Sequence, residues 1–187
     1  MQLTSTSMIL NGLDTGALRQ GISRVSEAPA TGMTRWQVTS RWMGGARSDT
    51  HVNGYEIGGQ RVEKDFTIRV DEPIEIGGTN KFANPQEYLL AAMNACIIVT
   101  YAAICALEGI ELEDLRIETD GNIDLRGLYA LDPEVRPGYD EVRYTVYIKG
   151  NATPEQFRKI HQMVMATSPN YDNIARAIPL RAKLVVQ

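Results

Sequence analysis

The chain has 187 residues, 43% apolar and 22% charged, and 19 basic against 23 acidic side chains give a net charge of −4 at pH 7. That length suits one ordinary domain, and a mean hydropathy of −0.23 with a pI near 5.3 describes a folded, water-soluble chain. Disorder, a disulfide-built miniprotein and a basic nucleic-acid-binding face are excluded.

Leu13, Ala17, Leu18, Ile22 and Val25 recur at helical spacing behind Asp14, a side chain suited to N-capping, so a helix is expected over 13–25. Pro29 and Gly32 end it, and residues 1–33 read as an N-terminal helical appendage, with the main domain over 34–187. Trp36, Val38, Ser40 and Trp42 alternate with polar partners, the period of a strand. Gly44 and Gly45 interrupt the pattern, Arg47 opens a second strand over 48–55, and a third is expected over 62–70. The N-terminus has neither the basic cluster nor the apolar run of a signal peptide, so a cytoplasmic location is expected.

Tyr88 to Leu107 carries no charge over twenty residues, long enough to cross a bilayer. Asn94 and Thr100 in its middle, six alanines and the lack of flanking basic clusters favour a buried central helix over a membrane span. Its start is well signalled: Asn84 can cap, Pro85 suits the first helical position, and Glu87 falls where a capping-box acid belongs. Gly109 should end it. Cys96 and Cys105 both lie on this helix, about 13.5 Å apart along its axis and on opposite faces. They cannot bridge within one chain, and both thiols are expected to be free.

Residues 115–125 and 142–149 alternate well and are expected to pair antiparallel, with a longer loop over 127–139 between them. Thr153, Pro154 and Gln156 then repeat the capping logic and open a second helix with Phe157, Ile160, Val164 and Met165 on its apolar face. Pro169 should stop that helix at Ser168. A last strand is expected through Leu180, Ala182, Leu184 and Val186. The order of elements gives an α+β fold with antiparallel sheets. The central helix is apolar on every side, and its small residues admit a close neighbour. A second copy of the chain is the expected cover, as a two-fold dimer; the alternative is that the helix carrying Phe157 to Met165 covers it within one chain.

At these residues the chain resembles the OsmC/Ohr family of thiol-dependent, peroxiredoxin-like hydroperoxide reductases of the oxidative stress response. Gly44-Gly45 with Arg47, Asn84-Pro85 opening the helix that runs to Cys96, and Ser168-Pro169 where the peroxidases carry Cys-Pro are the residues in common. The resemblance extends over roughly 35–186, and the 124–139 stretch looks like a longer OsmC-like subgroup. It implies an intertwined homodimer in which antiparallel sheets wrap paired central helices, with sites at the subunit interface. Cys96 matches the peroxidatic cysteine and Arg47 the arginine that holds the thiolate and the peroxide. A guanidinium of that kind lowers the energy of a thiolate, the nucleophilic form of cysteine.

Two departures stand beside these matches. The resolving cysteine falls at Ser168, and a hydroxyl cannot form a disulfide. The family's glutamate falls at Gln86, which can hydrogen-bond Arg47 but cannot neutralise it. Along one helix Gln86 and Cys96 are about 15 Å apart, so a site containing both must be built across a dimer interface. Read without the family, Cys96 is a small buried hydrophobe, Arg47 a solvated loop residue and Ser168 a helix-end residue. His51 and His161 stand without ligand spacing, so neither metal nor cofactor is expected. The functional expectations are a one-cysteine peroxidase using Cys96 and Arg47, with Gln86 and Ser168 lining the site and an external thiol as reductant, or a non-catalytic homodimer binding a small apolar ligand. Nucleic acid and membrane are not expected partners.

Overall fold

The computed structural model describes residues 8–186. The chain divides into two compact units after Ala91. In the first, β1 (Ile9–Leu10) and β2 (Leu13–Asp14) form a hairpin ahead of α1 (Thr15–Glu27). Asn11 and Gly12 make its turn at φ +52° and +76°. Asn-Gly is the usual pair for a turn with both central residues left-handed, so Leu13 is taken by the hairpin and the helix starts two residues later than its apolar spacing predicts. Asp14 still caps it, accepting from the Ala17 N–H at 2.9 Å.

An antiparallel sheet follows, built from β3 (Thr34–Trp36), β4 (Thr39–Trp42), β5 (Ser48–Ile57) and β6 (Gln60–Val70), with β5 pairing all three others. The single strand expected over 36–42 is two. Trp36 faces Tyr55 and Thr39 faces His51, a one-residue offset absorbed at Gln37-Val38, and β5 slips against β6 at the same level. Gly54, at φ +135°, permits that bulge: a Cβ there would lie 2.2 Å from the Val62 carbonyl oxygen. The sheet covers little apolar surface, and Trp36 and Trp42 stay 70% and 77% exposed.

After β6 the chain is tied down by Asp71, which is fully buried and accepts from the Thr79 hydroxyl and from the backbone N–H groups of Thr79, Lys81 and Glu72. The Thr79 hydroxyl, followed by those backbone donors, holds its carboxyl far below the usual carboxylate range against the opposing effect of burial. The start of α2 (Pro85–Leu107) is then fixed twice: Asn84 and Glu87 exchange capping-box hydrogen bonds of 2.8 and 2.7 Å, and the Tyr88 hydroxyl donates to the Arg69 carbonyl at 2.7 Å.

The second unit contains the rest of α2, then β7 (Leu112–Gly121), α3 (Leu125–Leu128), β8 (Val142–Gly150), α4 (Pro154–Thr167) and α5 (Pro169–Ala175). Gly109, at φ +75°, closes α2, with the Ile110 N–H reaching the Cys105 carbonyl at 2.8 Å. β7 and β8 pair antiparallel as expected. Met93, Ile97, Tyr101 and Cys105, one turn apart along α2, pack with Ile160 and Val164 of α4 over the inward side chains of the two strands. α4 therefore covers one stripe of the central helix, and Val99 on another remains 65% exposed. The α+β class and the long central apolar helix are as the sequence indicates.

Two features of the second unit differ from the sequence reading. Pro169 ends α4 and at the same time takes the first position of α5, a helix the periodicity does not announce. The strand expected through Leu180 to Val186 has no pairing partner among the described residues. Leu180, Leu184 and Val186 are 92%, 87% and 86% exposed, because a strand needs a neighbouring edge and none of the described strands pairs with this segment.

Candidate functional site

Cys96 precedes Ile97 on α2 and so stands about 100° round the helix from the core stripe, which leaves it half-buried rather than enclosed. The residue set against it is Ser168. That serine is 1% exposed, and its hydroxyl donates to the Cys96 Sγ at 3.6 Å, a normal separation for a large sulfur acceptor. Ser168 is held in place from both sides: its N–H donates to the Val164 carbonyl at 2.8 Å, and its carbonyl accepts from Asp172 at 3.1 Å. Two residues on, the Asn170 side-chain amide donates to the Ala92 carbonyl at 2.9 Å, one turn before Cys96. The Thr100 hydroxyl bonds the Cys96 carbonyl at 2.8 Å. The Ser168-Pro169 turn thus clasps α2 at the level of the thiol.

The structure brings together Cys96 and Ser168, two of the four residues singled out from the sequence. Arg47 and Gln86 belong to the first unit. Arg47 follows the left-handed Gly44 and Gly45 in the β4–β5 turn, donates to the Met43 carbonyl at 3.4 Å and makes no ion pair among the described residues. Gln86 is exposed in the first turn of α2, next to Glu87, whose carboxylate is used by the cap. Cys105 is fully buried in the core, and burial pushes its thiol up to about 11. Sequence reasoning missed Asn170 and the start of α5. The usable signal was Ser168-Pro169 itself, an N-cap residue followed by the proline that suits N1.

A second feature of this unit lies off the thiol. Tyr144, Phe157, Val146 and Ile148 line a cavity of about 1000 Å³ between β8 and α4, into which the hydrogen-bonded pair of Tyr101 and His161 also faces. Cys96 does not line it. No group of three or more metal-ligating side chains occurs among the described residues.

The model of the OsmC-like protein family matches residues 78–183, more than half of the chain. The chain belongs to that family. The matched stretch includes Gln86, Cys96 and Ser168, and Arg47 lies outside it. A relative in Bacillus subtilis strain 168, the uncharacterized protein YmaD, is 29% identical over 92 residues. The match spans 49% of this chain and 57% of that relative, little more than half its length. Among solved structures, the OsmC-like protein of Mycoplasma pneumoniae aligns with a TM-score of 0.60 at 14% identity, over 76% of this chain and 89% of that one. An OsmC-like protein of unknown function from Vibrio cholerae O1 aligns at 0.54 and 14% identity, over 75% of this chain and 93% of the other. At such identities the likeness is one of fold.

Proposed function

We propose that this OsmC-like protein is a one-cysteine thiol peroxidase acting on organic hydroperoxides, as a cytoplasmic homodimer. The Cys96 thiolate attacks a peroxide oxygen: the S–O bond forms, the O–O bond breaks, and the departing alkoxide takes a proton to leave as an alcohol. Cys96 is left as a sulfenic acid. An external thiol condenses with it, releasing water and forming a mixed disulfide, and a second thiol frees Cys96 by exchange. Arg47, which has no carboxylate partner among the described residues, is the candidate for the guanidinium that activates the thiolate, and Gln86 the candidate for holding that arginine.

The observation that carries this reading is the Ser168 hydroxyl donating to a half-buried Cys96 sulfur. A structural thiol needs no polar partner, whereas a nucleophilic one gains from a donor and from access. The dimer reading is supported by apolar surface left open on one chain: Val99 of α2, Trp36 and Trp42 of the sheet, and the alternating segment through Leu184.

Intact mass of the purified protein, with a sulfenic-acid trap, before and after one equivalent of cumene hydroperoxide tests the reaction. Addition of one oxygen confined to Cys96, and reversed by thiol, is the expected result. Cys96 remaining reduced while Cys96→Ser behaves identically would overturn the reading. The site would then be that of a non-catalytic homodimer taking a small apolar ligand.

A further inference from the structure

A serine at a helix N-terminus normally turns its oxygen to the free N–H groups of the first turn, a contact worth about 1 kcal/mol. Ser168 stands at that position ahead of α5, with extended backbone angles of −74° and 115° and Pro169 following, yet its side chain caps nothing. Bulk solvent does not reach it either, since the residue is 1% exposed. A buried hydroxyl needs an acceptor, and the acceptor here is the sulfur of Cys96. The backbone bonds to Val164 and Asp172, with the Asn170 amide on the Ala92 carbonyl, hold the Ser168 backbone beside α2 at this level.

We propose that Ser168 is a positioning residue for Cys96, its hydroxyl diverted from helix capping to donate to the sulfur: to the thiolate before reaction and, on the peroxidase reading above, to the sulfenic acid after it. A neutral thiol is a weak acceptor and a thiolate a strong one, so a fixed O–H donor favours the charged form. The same geometry sets the fate of the oxidised cysteine. A hydroxyl cannot resolve the sulfenic acid to a disulfide, and Cys105 is enclosed in the core. On that reading the recycling thiol is external to this chain.

Ser168→Ala removes the donor and leaves Cys96 in place. The readout is the rate of Cys96 alkylation by iodoacetamide, taken as the ratio of its values at pH 7 and pH 10, which cancels changes in access. The ratio is expected to fall about threefold or more relative to the parent protein, a loss of one charge-assisted hydrogen bond. An unchanged ratio in a folded variant overturns the proposal. Ser168→Cys supplies an independent arm: treated with diamide, it should become two hydrogens lighter, with Cys96 and the new thiol joined. A variant that leaves both thiols free places position 168 too far from Cys96 and also overturns it. Neither measurement uses a peroxide. If Cys96 takes up no oxygen in the parent protein while the alkylation ratio falls in Ser168→Ala, the positioning role stands and the peroxidase reading is what fails.

Discussion

Cys105 shares a helix with Cys96 and has the opposite chemistry. It is wholly enclosed, and burial alone raises its thiol from 9.0 to about 11. Alkylating reagents at pH 8 should therefore label Cys96 in the folded protein and reach Cys105 only after urea is added. The raised value has a consequence for stability. Below about pH 9 the thiol is protonated in folded and unfolded chains alike, and it makes no pH-dependent difference. Between about 9 and 11 the unfolded chain sheds the proton while the folded chain holds it, so the unfolded state gains and stability falls with rising pH. Tyr101, raised from 10.0 to about 12 by burial, by Tyr144 and by Cys105, extends the same decline to higher pH. Urea midpoints of the parent and Cys105→Ala, measured from pH 8 to pH 10.5, should show a shallower fall in the variant. Parallel curves would mean that the core opens to solvent before the thiol ionises.

Among the elements, those fixed by local chemistry carry most of the order. Thr153 accepts from the Gln156 N–H at 3.2 Å while the Gln156 side chain accepts from the Thr153 N–H at 2.8 Å. Thr153→Ala should cost about 1 kcal/mol in urea denaturation. Gly109→Ala, which puts a Cβ on a left-handed residue with open space around it, should cost about 1 kcal/mol through the backbone alone. These same signals were what made the elements readable: Asn84-Pro85-x-Glu87, Thr153-Pro154 and Asp14 each name a helix start through side chains adjacent in sequence. The alternation of β7 and β8 was equally plain, since one face of each strand meets the core. What local chemistry could not announce were features set by register and by distant partners. The division of β3 from β4 follows from an offset against β5, where Trp36 meets Tyr55 and Thr39 meets His51. The clasp of Asn170 on Ala92 joins residues 78 apart in the chain. Cys96 and Ser168 were each legible as candidates, but the hydrogen bond between them, and the forgone cap that allows it, belong to the folded chain.

At the scale of the molecule, the apolar surface of one chain asks for a second. Leu180 and Leu184 stand 92% and 87% exposed, and each such side chain left in water forgoes about 1.5–3 kcal/mol of burial. Arg181 and Lys183 alternate with them, as in a strand that buries one face and wets the other. Trp42, 77% exposed, adds apolar area in the β3–β6 sheet, and Val99, 65% exposed, adds it on α2. A monomer carrying these surfaces would be prone to aggregate, and a net charge of −4 on 187 residues gives modest protection. On the homodimer proposed above, contact with a second copy of the chain would take apolar side chains of this kind out of water. Light scattering after size exclusion should therefore return about twice the 20.8 kDa chain mass. Deleting residues 178–187 should weaken or abolish that species while the β7–β8 sheet and its core, among whose members none of 178–186 is found, keep their far-ultraviolet signature. A stable monomer of the full chain would instead mean that the tail and the open faces tolerate water. The Cys96–Ser168 pair would then have to do its chemistry with the groups of a single chain.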